Sequence, residues 1–321
     1  MNKNREMKRK VLIILSLLGV LLFSSCRNTP KDRRTDTISS GVIGISADES
    51  FRPIIQQQID VFENNYPKAG IVPFFVSEVE AINLLLSDSV RLAIATRTLT
   101  EQEKEYLKSR KFFAREIKIA TDGIAVIVNN QNPDSLISVS DLRKIMTGKV
   151  TDWKELNPKS ALGELKLVFD NPNSSTVRFA IDSICKGEPL SSNLYAQKDN
   201  PAVINFVPQT PGAIGIIGAA WIGNQNDTTR LSFTEDVRVM RVSREEIATP
   251  ANSYKPYQAY LALRSYPLTR DVYILLTDPR TGLATGFTSF VTSDIGQRII
   301  LRSGIVPATQ SVRIVQVKDD F

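Results

Sequence analysis

Three short stretches place hydroxyl side chains at the start of an expected helix, directly after an expected strand: Ser46 to Ser50 (SADES), Ser77, and Ser174-Ser175-Thr176. A helix opens with backbone N–H groups that lack partners inside the helix and carry the positive end of its dipole. Hydroxyls beside them can complete an oxyanion site without any charged side chain. In open α/β sheets such ends gather outside the carboxyl ends of the strands, where ligands collect. The same residues also serve a plainer purpose. Ser, Thr and Asp are favoured N-caps, and both Ser46 with Glu49 and Ser77 with Glu80 have capping-box spacing. One loop alone reads as a cap; the case for a binding site rests on the three together.

Other chemistries lose their usual groups. The 321 residues include no histidine, which removes the common general base near neutral pH, the commonest transition-metal ligand and the Ser-His-Asp triad. There is no GxSxG elbow, no GxxxxGK[ST] phosphate loop and no clustered metal-ligand spacing. The sequence therefore predicts a protein that is not an enzyme, with no cofactor and no metal; an esterase or phosphatase built on the serines lacks its base. The formal charge is +6, but Lys3, Arg5, Lys8, Arg9 and Lys10 against Glu6 put +4 of it in the first 25 residues. The remaining +2 gives no basic face for nucleic acid.

Residues 8 to 26 read KRKVLIILSLLGVLLFSSC. A basic start, an apolar run from Val11 to Phe23 and small residues before Cys26 predict a lipoprotein signal peptide over 1–25, with Cys26 carrying the lipid. The apolar run is shorter than the roughly 20 residues a membrane-spanning helix needs. Residues 26–40 are polar and without periodicity, as expected of a flexible tether. With Cys26 lipidated, only Cys185 remains, and its helical apolar setting predicts a buried, inert thiol.

From Gly41 onward strands and helices alternate. Strands are expected at Val42–Ile45, Ile71–Val76, Leu92–Ala95, Gly123–Asn129, Leu165–Phe169, Ala213–Gly218 and Val237–Val242. Helices are expected at Ser50–Asn64, Ser77–Leu86, after a Thr100–Glu103 capping box, from a Ser140 cap to Met146 before Gly148, at Ser175–Cys185 and as one long helix over Leu283–Leu301. Repeated βα units imply a mostly parallel sheet flanked by helices, and 281 residues exceed one core, so two lobes are expected.

In order and spacing, SADESFRPI (46–54), VSEVEAINLLLSDSVRLAIATRTLT (76–100), DGIAVIVNNQNP (122–133), ISVSDLRKIMTGKVTDWKEL (137–156), NSSTVRF (173–179) and GAIGIIG (212–218) resemble the periplasmic phosphate-binding proteins of ABC importers, the PstS family. The resemblance implies a two-lobed α/β fold of the type II periplasmic-binding-protein class with the ligand in the cleft. It places one lobe at 41–120 plus 267–321 and the other at 121–266, crossing near Ala120–Gly123 and returning near Arg264–Pro267, where Tyr266-Pro267 matches a Tyr-Pro of the family.

Carried over residue by residue, the resemblance implies ligand contacts from Ser50, Phe51, Ser77, Thr96, Arg97, Ser174, Ser175 and Thr176. The chain departs from the pattern where the family's arginine before its GSGT loop becomes Asp170, and where Asp48 and Glu49 replace small hydroxyl residues. Asp48 and Asp170 would then face the ligand, Arg178 could restore a positive charge, and a partly cationic or hydroxyl-rich solute stays open. The expected protein is a monomeric, lipid-anchored, periplasm-facing solute-binding protein that hands phosphate or a related oxyanion to an ABC permease. An envelope lipoprotein that binds another solute, or a protein partner as sensor or scaffold, is the alternative.

Overall fold

Apolar runs bounded by hydroxyls and acids become strands that end in capped helices. The computed structural model describes residues 36–224, 227 and 232–312; the expected signal peptide and Cys26 lie outside them. The chain begins β1 (Gly41–Asp48), α1 (Arg52–Asn65), β2 (Ala69–Val76), α2 (Glu78–Leu86), β3 (Leu92–Ala95) and α3 (Glu101–Ser109). β1 pairs in parallel with β2 and β3, as repeated βα units require. Thr100 and Glu103 form the expected capping box of α3.

β4 (Arg115–Val128) then runs through the middle of the sheet. After it come β5 (Leu136–Ser138), α4 (Val139–Met146), α5 (Trp153–Leu156), β6 (Lys166–Phe169), α6 (Ser175–Phe179), β7 (Tyr195–Ala196), α7 (Asn200–Phe206) and β8 (Ala213–Gly218). The remainder is β9 (Arg238–Val239), β10 (Arg241–Ser243), β11 (Ser253–Tyr254), α8 (Gln258–Ala262), β12 (Thr269–Leu276), α9 (Leu283–Thr292), α10 (Asp294–Arg302) and β13 (Val306–Pro307).

The main sheet has the order β2-β1-β3-β12-β4-β8-β6-β7, with β9 and β13 also on β4; β11-β10-β5 form a second, small sheet. β6 pairs in parallel with β7 and β8, while β12 and β4 run antiparallel through the centre. β4 serves both halves of the sheet: Arg115–Gly123 pairs with β12, and Ile124–Val128 pairs with β8. Separate apolar cores flank the two halves. Ile45, Phe51, Phe62, Ile274 and Phe287 pack in one, and Val126, Trp153, Leu167, Ile216 and Tyr266 in the other. Burying each such side chain contributes about 1.5–3 kcal/mol. At the junction Tyr266 is fully buried, and its hydroxyl donates to Ile124 O at 2.6 Å.

Several boundaries differ from the expectations. α4 is capped by Ser138, which accepts from Asp141 N, and not by Ser140, because the strand β5 runs straight into the helix. The expected helix over Leu283–Leu301 is two helices. Ser293, with ψ of 170°, ends α9 and caps α10, and both pieces keep apolar faces, so their summed pattern mimics one helix. The helix expected at Ser175–Cys185 begins as α6 and widens to a π turn over Ala180–Ile184. Val237–Val242 divides into β9 and β10. Asp36 to Ser40, read as the end of the tether, are packed: Asp36 accepts from Leu283 N at 2.7 Å and Thr37 pairs with Ser40.

That packing sets a contest of signs at Gly286 in α9. A helical glycine replaced by alanine ordinarily gains about 1 kcal/mol. A Cβ at Gly286 would lie 1.9 Å from Ile38 O, so the backbone must move. Gly286→Ala is expected to destabilise by about 1–3 kcal/mol in urea unfolding; a stabilised variant would show that the 36–40 segment does not pack there.

Candidate functional site

The loop after β1 is shaped by its acid. Asp48 caps a short 3-10 turn, Glu49–Phe51, by accepting from Ser50 N at 2.8 Å, and Pro53 lies in the first turn of α1, where its missing N–H costs nothing. Ser46 is not part of the cap; it sits in β1 and donates to Ala81 O at 2.8 Å. The loop after β6 meets this turn. Ser174 caps α6 by accepting from Val177 N and donates to Asp170 Oδ1 at 2.5 Å, while Ser175 N donates to Asp48 Oδ2 at 3.0 Å.

Under both loops lies Arg270. It stands on β12 directly across from Asp122 on β4, and Arg270 Nε donates to Asp122 Oδ2 at 3.0 Å. Nη2 is 2.9 Å from the same oxygen, and Nη1 donates to Ser175 Oγ at 2.7 Å. The Phe51 ring backs the guanidinium, its centroid 5.1 Å from the central carbon, a cation–π contact. Asn200, at the start of α7, donates to Glu49 Oε2 at 2.7 Å and to Asp170 Oδ2 at 3.1 Å, and Trp221 Nε1 donates to Ser50 O at 3.0 Å. Asp48, Ser50, Asp122, Asp170, Ser174, Ser175, Thr176, Asn200 and Arg270 are all buried.

The structure thus brings Asp48, Ser50, Phe51, Asp170, Ser174, Ser175 and Thr176 into one cluster. It sends the other expected contacts elsewhere. Arg97 forms a two-pronged pair with Glu103, at 2.7 Å on each prong, and so faces α3. Ser77 caps α2, accepting from Glu80 N. Thr96 joins a neighbouring network: its N–H and hydroxyl both donate to Glu78 Oε1, and Arg178 donates to Glu78 Oε2 at 2.5 Å and to Thr96 Oγ1 at 2.6 Å. Arg178 therefore neutralises Glu78 and does not restore charge beside Asp170. Arg270, Asp122, Asn200 and Glu78 escape sequence reasoning. The available signal was an arginine and an aspartate inside runs otherwise typical of buried strands, where unpaired charges do not survive.

Electrostatics follow the imbalance of acids over bases. Burial pushes the Asp170 carboxyl up to about 7, with the Ser174 hydroxyl opposing and the nearby Asp48 reinforcing the shift. Burial likewise raises Asp122 against the pull of Arg270, and raises Glu49 against the bonds from Asn200. Burial would raise Glu78 too, but Arg178 and the Thr96 donors hold its carboxyl below the usual range. Among the described residues, no group of His, Cys, Asp or Glu could hold a metal ion.

This arrangement can gather backbone N–H groups, hydroxyls and one guanidinium around a small oxyanion. Residues 33–294 match a family model described as a PBP superfamily domain. The chain is 23% identical to the phosphate-binding protein PstS of Bacillus subtilis (strain 168) over 317 residues, covering 94% of this chain and 96% of that protein. It is 23% identical to PstS of Borreliella burgdorferi over 308 residues, covering 93% and 98%. Among solved structures it is similar to a protein of Clostridium perfringens assigned as a phosphate ABC transporter substrate-binding protein and solved with bound phosphate. There the TM-score is 0.71 at 21% identity, covering 84% of this chain and 100% of that one. An ABC-type phosphate transport receptor from Vibrio cholerae gives a TM-score of 0.62 at 20% identity, covering 83% and 100%. The family match and these likenesses establish a two-lobed α/β fold shared with solute-binding proteins.

Two consequences are measurable. Removing one partner of a buried ion pair leaves an uncompensated charge, so Arg270→Met is expected to cost about 3–5 kcal/mol in urea unfolding, and Arg270→Met with Asp122→Leu to recover most of it; additive losses would mean that the two are not coupled. Asp170 is bound to a proton in the fold over a pH range in which the unfolded chain has released it. Its raised pKa therefore destabilises progressively from about pH 4 to 7, with the full cost present above 7. Between pH 5 and 8 the melting temperature of Asp170→Asn should fall less than that of the wild type; parallel pH profiles would place the proton elsewhere.

Proposed function

The chain belongs to the PBP superfamily, and from that premise we propose that it is an extracytoplasmic solute-binding protein. It takes phosphate or a related oxyanion between its lobes and delivers it to an ABC permease. The observation that carries the reading is Arg270, which supplies a guanidinium next to Ser175, in the loop whose family counterpart carries its arginine shortly upstream. Here that upstream position is Asp170. Of its five N–H donors Arg270 gives one from Nε to Asp122 and one from Nη1 to Ser175, and those of the buried Nη2, without a hydrogen-bond partner, are of the kind oxyanions favour. The hydroxyls of Ser50, Ser175 and Thr176 supply further donors, and the N–H groups of Ser50 and Ser175 do so once they leave Asp48.

Residues 1–25 act as a signal peptide and Cys26 carries the lipid that holds a monomer at the membrane, facing the periplasm. One lobe comprises 41–120 with 267–321 and the other 121–266. β4, which runs through both halves of the sheet, and the buried Tyr266, which donates to Ile124 O where they meet, support a crossover there. The abundance of buried acids favours a second reading, in which the same fold serves a different solute or a protein partner. Calorimetry on residues 27–321, freed of carried-over solute by unfolding and refolding, separates the two. Phosphate should bind with a Kd in the micromolar range or tighter, and Arg270→Lys, which keeps the charge and loses the fork, should weaken it at least tenfold. Absence of heat with phosphate and sulfate from folded protein would leave the fold and discard the ligand.

A further inference from the structure

Asp48 has no place among the donors of an oxyanion site, yet it lies at the centre of the cluster, 1% exposed. Its two carboxylate oxygens take the N–H groups of Ser50 and Ser175, one from each of the two loops that would present donors to a ligand. A carboxylate edge and the edge of a tetrahedral oxyanion ask for the same thing, two converging donors on two oxygens. The protein's own side chain is therefore seated where a bound anion would find its backbone donors. In the same two loops Ser50 Oγ and Thr176 Oγ1 are buried without a hydrogen-bond partner, a costly condition for a hydroxyl. The charged groups around Asp48 are Glu49 beside it, Asp122 from β4, Asp170 after β6 and Arg270 from β12.

We propose that Asp48 is a specificity-determining residue, an internal competitor that holds the Ser50 and Ser175 N–H groups and sets how tightly an oxyanion binds. An incoming phosphate must displace the carboxylate from both donors, and Ser50 Oγ and Thr176 Oγ1 are the donors that remain ready for it. A side chain without the charge frees Ser175 N from the carboxylate, weakens the hold on Ser50 N and removes the repulsion, which between like charges about 4 Å apart in a poorly solvated site amounts to several kcal/mol. This inference rests on the oxyanion reading above and deepens it.

The test is calorimetric titration of the refolded protein with inorganic phosphate, for wild type, Asp48→Ser and Asp48→Asn, each first shown to give a cooperative melting transition. Ser and Asn keep an acceptor for Ser50 N and remove the charge. The expected result is phosphate affinity at least tenfold above wild type for both variants, with Asp48→Glu staying as weak as wild type. Measurable binding by wild type that Asp48→Ser and Asp48→Asn leave unchanged or weaken overturns the proposal and leaves the oxyanion reading standing. Silence from wild type and both variants alike overturns the oxyanion reading and the proposal with it.

Discussion

The structure turns on a salt bridge between two neighbouring strands. Asp122 and Arg270 occupy paired positions on β4 and β12, both almost entirely removed from water. Burying either charge alone would be prohibitive, so the pair demands a fixed register between the strands, and that register positions everything attached to them. β4 continues past Asp122 to pair with β8, and β12 continues past Arg270 to pair with β3. The loops that end β1 and β6 then close over the guanidinium.

Polar satisfaction in this space is achieved by sharing rather than by solvent. Asp48 caps its own turn and accepts from Ser175 on another loop; Asp170 accepts from both Ser174 and Asn200; Asn200 serves Asp170 and Glu49 together. Each group is a hinge pin for two elements, so the removal of one leaves two partners unsatisfied. Glu78, Thr96 and Arg178 repeat the scheme alongside and tie α2 to α6.

Much of this was legible in the sequence, and the division between legible and hidden has a physical basis. β3 and β8 appear at the expected residues because short, wholly apolar runs bounded by polar residues have few other uses. The Thr100 capping box was readable because its partners are three residues apart. The cluster was half readable: hydroxyls at strand ends mark the loops, yet the partner of each charge is remote. Arg270 meets Asp122 across 148 positions and Arg178 meets Glu78 across 100, and no local pattern encodes such distances. Arg97 misled for the opposite reason, since a nearby Glu103 captures it within six residues. The break at Ser293 was hidden because a helical repeat survives a well-capped interruption.

Placing the guanidinium on a strand instead of on a loop separates two properties that usually change together. The charge beneath the segment from Asp170 to Thr176 is placed by β12, in a register enforced from both sides, and not by the backbone of the segment itself. The loop above contributes hydroxyls and backbone N–H groups, and the strand below contributes the charge, so the two are set by different parts of the chain.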